Sequence, residues 1–165
     1  MSTHDAEPPR TESVWDYPRP PRIEPDARHV LVRHAGVVLA DSRHCLRVLE
    51  TSHPPVFYVP RADVRTDLLR ASANRSVCEW KGTATYWTLG PEPGLPPVPD
   101  IAWSYETPRP AYAPIAGHLA FRADRVEACT VDGEPVRAQQ GGFYGGWITH
   151  EITGPFKGEP GSRGW

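Results

Sequence analysis

Twenty prolines in 165 residues, more than twice the usual ~5%, limit the regular elements this chain can build. They cluster in the first 25 residues, at 91–99, at 108–114 and in the last stretch of chain. Proline removes a backbone donor and fixes φ, so long helices and central strands are excluded at those points. Short strands separated by proline-rich loops are what remains.

The intervals between prolines carry strand patterns. His29–Arg33 and Val37–Asp41 are β-rich, and His34-Ala35-Gly36 between them reads as a hairpin turn. Ser42–Thr51 fits either a helix or a strand. Val56–Val59 reads as a strand stopped by Pro60, and Arg61–Leu69 as a helix of about two turns with Val64, Leu68 and Leu69 on one face. Val77–Leu89 reads as one strand. Its period of two places Trp80, Gly82, Ala84 and Tyr86 on one face and Lys81, Thr83, Thr85 and Trp87 on the other. Ile101–Glu106 alternates, with Ile101, Trp103 and Tyr105 inward, and two further strands precede the turn signal Asp132-Gly133. The expected fold is all-β and mainly antiparallel, a single compact sheet domain with one short helix. It divides into an extended arm over 1–25, a β domain over 26–138 and a Gly/Pro/aromatic tail over 139–165 packed on the domain. Residues 1–10 are expected to be disordered and the following stretch to favour polyproline II, with Trp15 and Tyr17 docking.

Composition removes several function classes. Net charge is −2 without a basic run, so no electrostatic footprint for nucleic acid exists. No apolar stretch reaches the ~20 residues of a membrane span, and the N-terminus lacks a signal-peptide pattern. The three cysteines are widely spaced without a CxxC pair, which speaks against a disulfide framework and a structural zinc site. A cytoplasmic protein with no cofactor is the expectation.

Only two of the eighteen lysines and arginines are lysine, Lys81 and Lys157. GC-rich coding explains the scarcity but not the position of Lys81, inside the densest aromatic run of the chain. Lys81 is either a rim residue paired with a carboxylate or a group that captures a carboxylate, phosphate or carbonyl. Cys78 is either a small buried hydrophobe or a nucleophile. It meets Lys81 only if the chain turns at Glu79-Trp80, in which case the ammonium favours its thiolate. Glu50 and His53 flank a Pro-Pro turn and either satisfy local backbone groups or move protons. Arg65 is expected on the short helix, reaching a carboxylate of Asp41 or Glu50. The favoured reading is a small-molecule site in which Tyr58, Trp80, Tyr86, Trp103 and Tyr105 form an aromatic pocket, and Lys81 and Arg65 hold an anionic group. One alternative is an enzyme with Cys78 or Lys81 as nucleophile and His53 or Glu50 as acid/base. Another is a structural adaptor or homodimer using the aromatics of arm and tail.

Several motifs in order, Ala40-Asp41-Ser42-Arg43, Leu46–Thr51, His53–Pro60, Cys78–Trp87, Ala102–Tyr105 and Ile115-Ala116-Gly117, resemble the bacterial and fungal family called domain of unknown function 427. The resemblance covers about residues 26–132, and Gly142–Trp147 with Gly154–Gly158 resembles an extension of actinobacterial members. It implies a β-tent fold akin to sulfoxide reductases and glutathione-dependent formaldehyde-activating enzymes. Many β-tent proteins hold zinc through two CxxC knuckles, which this chain lacks. Some family members are labelled nucleotidyltransferase-like, but neither a paired-carboxylate motif for two metal ions nor a phosphate-cradling loop is present here.

Overall fold

A computed structural model describes residues 11–165; the expected disorder of residues 1–10 lies outside the described residues. The strands of three or more residues are β1 (Arg22–Asp26), β2 (Val30–His34), β3 (Val37–Ser42), β4 (Cys45–Leu49), β5 (Val56–Tyr58), β6 (Leu69–Cys78), β7 (Gly82–Leu89), β8 (Val98–Ser104), β9 (Leu119–Phe121) and β10 (Ala128–Val131). All pairings among them are antiparallel. The all-β expectation holds.

The β2–β3 hairpin turns on Ala35 and Gly36, whose φ values of 50° and 77° are the pair a two-residue turn of this hand needs. With β10 and Glu134–Pro135 the hairpin forms a four-stranded sheet. A second sheet runs β1-β4-β5, and a third β9-β8-β7-β6. Val59, just past β5, exchanges backbone hydrogen bonds with Leu119 of β9 at 2.7 and 2.9 Å. The second and third sheets are thereby joined through one bridge, bringing the side chains of β4 and β5 beside those of β7 and β8. The ambiguity over Ser42–Thr51 resolves as strand β4, whose Cys45, Arg47, Val48 and Leu49 are buried.

Two segments depart from the sequence expectations. Val77–Leu89 is not one strand: the chain reverses at Glu79-Trp80-Lys81, and Cys78 pairs with Gly82. Gly82 has φ +111°, a conformation side chains with a Cβ rarely adopt, so glycine fixes the end of the turn. The preceding strand β6 escaped notice because seven of its ten residues, Arg70 to Ser76, hold neither a Val, Ile, Leu nor an aromatic. Arg61–Leu69 forms two 3₁₀ turns, Arg61–Asp63 and Thr66–Leu68, in place of two α-helical turns. Extended Val64 lies between them and bridges to Ala40 of β3. A further 3₁₀ segment covers Pro110–Ile115.

The arm is not simply extended. Glu12–Ser13 pairs in parallel with Ile152–Thr153 near the other end of the chain, and Val14–Asp16 is a 3₁₀ turn capped by the Ser13 side chain. Trp15 Nε1 donates to the Pro155 carbonyl at 2.8 Å, and its ring meets Trp165 edge-on at 5.3 Å. Tyr17 is buried. The main core lies between the β2–β3–β10 sheet and β8–β9, and Trp147 from the tail is one of its largest members. Trp147 is 1% exposed, stacks on Phe57 at 5.1 Å and donates from Nε1 to the Phe121 carbonyl at 3.0 Å.

Candidate functional site

A second cluster holds Tyr58, Trp103, Tyr105, Tyr112 and Ile115, and its Tyr58, Trp103 and Tyr105 form the floor of a cavity of about 450 Å³. Register explains the floor. Trp103 of β8 pairs with Tyr86 of β7 on one side and Ala120 of β9 on the other, so the three side chains share a face. Tyr58 enters from β5, and its hydroxyl accepts a hydrogen bond from Trp103 Nε1 at 3.3 Å. Tyr86 and Ser76 hydroxyls join at 2.8 Å across the β6–β7 pair. The turn Glu79-Trp80-Lys81 forms one wall. Glu50, His53 and Pro54 form another, and the tail contributes Gln139, Phe143, Tyr144 and Gly145.

Of the residues singled out in the sequence, Tyr58, Trp80, Lys81, Tyr86, Trp103 and Tyr105 line this cavity, as do Cys78, His53 and Glu50. Period-two reasoning put Trp80 and Lys81 on opposite faces. The reversal at 79–81 brings both to the cavity, and it is the turn that convergence of Cys78 and Lys81 requires. Arg65 is a correction. It lies outside the cavity, exposed, with Nε and Nη2 each 2.9 Å from the Asp67 carboxylate. The broken helix carries it away from Asp41, which instead meets His29 Nε2 at 2.7 Å. The sequence reading missed Arg122, Gln139, Phe143 and Tyr144. Arg122 is 6% exposed, forked on Asp124 and bonded to the Gly142 carbonyl at 2.6 Å, which ties the tail loop to the domain. No local signal links these positions to residue 81; only the long-range course of the tail does.

Gly145 is the tail's closest approach to the floor. A Cβ there would fall 2.1 Å from Trp103 Cη2, so only glycine lets this backbone rest on the indole.

The cavity's polar lining sets donors such as Lys81 and Tyr105 beside the carboxylates of Glu50 and Glu79. Lys81 is 9% exposed, its Nζ 5.6 Å from the Tyr105 ring centroid. No ion pair or hydrogen bond to the described residues engages that nitrogen, although its own backbone carbonyl is fixed by Arg109 N at 2.9 Å. With its side chain mostly buried and lining the cavity, this cation is placed to meet an anion or an acceptor that enters it. Tyr105, 6% exposed, has no hydrogen-bond partner for its hydroxyl among the described residues. Burial drives its pKa far above the usual value, with Tyr58 adding to the effect, so the group stays a neutral donor. Burial likewise raises the Tyr58 hydroxyl.

His53 supplies the contrasting group. Its Nδ1 lies 3.0 Å from the Thr51 carbonyl. A carbonyl only accepts, so Nδ1 carries the proton and Nε2 keeps its lone pair. Burial lowers the pKa of His53 below 6.5, against the opposing effect of Glu50, while Arg19 and Lys81 push further down. Glu50 is held by Arg19 at 3.5 Å. The imidazole is therefore a neutral base near neutral pH. A stability prediction follows. In the unfolded chain His53 titrates near 6.5, so below that pH the unfolded state binds the proton that the folded state resists. Acidification from pH 7.5 to 5.5 therefore removes stability through this residue, and a His53→Asn variant loses less than wild type over the same window. The exposed His150, raised by Glu134, works in the opposite direction and is common to both proteins. Equal losses in urea titrations of the two would refute the assignment.

The fold is an all-β domain, and aromatic and polar side chains share the lining of its cavity. The chain belongs to the family described as "Domain of unknown function (DUF427)", whose profile matches residues 22–132. The tail residues that wall the cavity lie beyond that match. No curated protein matches the chain. Among the described residues no helix is long and apolar enough to cross a membrane.

Proposed function

We propose that this protein binds a small organic anion, its apolar body among Trp80, Tyr86, Trp103 and the tail aromatics and its charged group at Lys81 and Tyr105. The observation that carries this reading is the pair of unengaged donors, Lys81 Nζ and the Tyr105 hydroxyl, both on residues more than nine-tenths buried and both in one 450 Å³ cavity. Cavities of 300–1,000 Å³ with aromatic walls and a few convergent polar groups are the usual form of a small-molecule site. Trp80 and Trp103 make the test direct. Titration with benzoate and phenyl phosphate, followed by tryptophan fluorescence, should give saturable quenching that neutral benzyl alcohol does not reproduce. Absence of saturation with every anion, or equal binding of the alcohol, would sink the proposal.

The presence of Cys78 in the same cavity as Lys81 and the neutral His53 favours a second reading, nucleophilic catalysis on the bound anion. Cys45 and Cys129 offer an internal control, since burial raises each thiol to about 12. Under this reading Cys78 labels much faster than both with iodoacetamide at pH 7, and bound anion slows it. Labelling no faster than the buried pair leaves the binding role alone. The adaptor reading has less to stand on: Tyr17 and Trp147 are consumed inside the chain, leaving Trp15 and Phe143 as exposed rings.

A further inference from the structure

Away from the cavity, three ligand-type side chains meet where the tail crosses the end of the β2–β3–β10 sheet. Glu134 follows the Asp132-Gly133 turn, and His150 and Glu151 form the turn between Trp147–Ile148 and Ile152–Thr153. One carboxylate oxygen of each glutamate and one ring nitrogen of His150 all lie within 4.8 Å of one another. His150 Nδ1 is 2.5 Å from Glu134 Oε1 and 3.6 Å from Glu151 Oε2.

The Glu151 carboxylate points to a ligand. Glu151 is 9% exposed, and its Oε2 is sealed from solvent with no hydrogen-bond partner among the described residues. A buried oxygen of an ionised carboxylate without a donor is costly. Its other oxygen, Oε1, is taken by Arg28 Nη1 at 2.5 Å. That guanidinium is also forked on Asp26, through Nε at 3.0 Å and Nη2 at 2.7 Å. Arg28 is therefore shared between two carboxylates, and Glu134 adds a third. The backbone fixes the same geometry: the His150 N–H donates to Glu134 Oε2 at 2.7 Å, holding the imidazole and that carboxylate together.

The geometry points to a divalent metal site formed by Glu134, His150 and Glu151, with a first-row transition ion such as Zn²⁺ as its occupant. One imidazole and two carboxylates suit such an ion, and its metal–ligand bonds of ~2.0–2.2 Å set ligand atoms roughly 3.4 Å apart in a tetrahedral arrangement. The 3.6 Å from Nδ1 to Glu151 Oε2 fits that spacing. The shorter Glu134–His150 contact is the hydrogen bond the ion replaces, opening by about 1 Å as Nδ1 exchanges its proton for the metal. His150 is 69% exposed at its side chain, so solvent completes the coordination and gives the ion its path in. Arg28 would act from behind, orienting Glu151 as outer partners of ligating carboxylates commonly do.

The full chain, stripped with EDTA, is titrated with Zn²⁺ by calorimetry and with Co²⁺ by visible absorption. One equivalent is expected to bind, with the d–d bands of a low-coordinate Co²⁺ site. The unfolding temperature should rise with Zn²⁺ concentration, because the folded state alone holds the three ligands together. His150→Ala should weaken Zn²⁺ by at least about tenfold, the range expected on losing a metal-site partner. This position is exposed and outside every core cluster, so the variant stays folded, and its Zn²⁺ response is read against its own metal-free unfolding temperature. Glu151→Gln should weaken binding similarly while leaving the sequence outside this cluster unchanged. Absence of saturable binding below 1 mM (about 4 kcal/mol of affinity), or an affinity unchanged by His150→Ala, overturns the proposal.

Discussion

Lys81→Met should stabilise the fold while sharply weakening anion binding. Lys81 is 9% exposed as a residue and lines the cavity, with no carboxylate or acceptor engaging its ammonium among the described residues. Replacing an unpaired lysine at the cavity wall by an apolar side chain of similar length exchanges a charge for apolar contact with the surrounding rings, a gain of up to about 1 kcal/mol. For a chain of this size that raises the unfolding temperature by roughly 2–4 °C. Affinity for benzoate or phenyl phosphate should fall by about 100-fold, the ~2.7 kcal/mol scale of a charged hydrogen bond in a water-poor recess. Differential scanning calorimetry and fluorescence titration of the same two proteins test both signs. Opposite signs are the mark of a residue kept for its ligand. A variant that loses stability and binding together would mean that Lys81 holds the hairpin turn, and the charge would then need no ligand to explain it.

Trp147→Ala should cost about 3–5 kcal/mol, the range for a buried tryptophan truncated in a packed core, and lower the unfolding temperature by ~10 °C. The ring stacks on Phe57, its N–H is bonded to the Phe121 carbonyl, and it belongs to the main core although it lies beyond the family match. Removal therefore leaves both a cavity and an unpaired buried carbonyl. Thermal unfolding of the full chain measures the effect. A loss under 1 kcal/mol would show that the tail is an accessory cover and that residues 22–132 hold their own core.

How far the sequence was readable depends on the range of the contacts that decide each element. The β2–β3 hairpin was legible because Ala35-Gly36 and the flanking valines decide it locally. Ile101, Trp103 and Tyr105 could be assigned inward because alternation is also local, although residues 101–105 are all buried. The turn at Glu79-Trp80-Lys81 was hidden. Trp80 and the run Thr83–Trp87 suit a strand, and only Gly82 between them hints at a positive φ. Its consequence was large, since reversing the chain there moves Lys81 to the same side as Trp80. Strand β6 was hidden for the opposite reason: its exposed polar residues have no period, and its pairing with β7 alone makes it a strand. Arg65 was misplaced because a helix was expected where Val64 is drawn into a bridge with Ala40. The tail's part in the cavity depends on contacts such as Arg122 to Gly142, which cross the chain and leave no mark in either neighbourhood.

The parallel pairing of Glu12–Ser13 with Ile152–Thr153 has a mechanical meaning. Traction applied between residue 11 and residue 165 would pull these two short segments past each other along their length, in shear. All the intervening sheets would be shielded until that junction, and the Trp15–Pro155 contact beside it, gave way. The molecule is thus fastened by a buckle made from its own two extremities, and cutting either one would unclasp both.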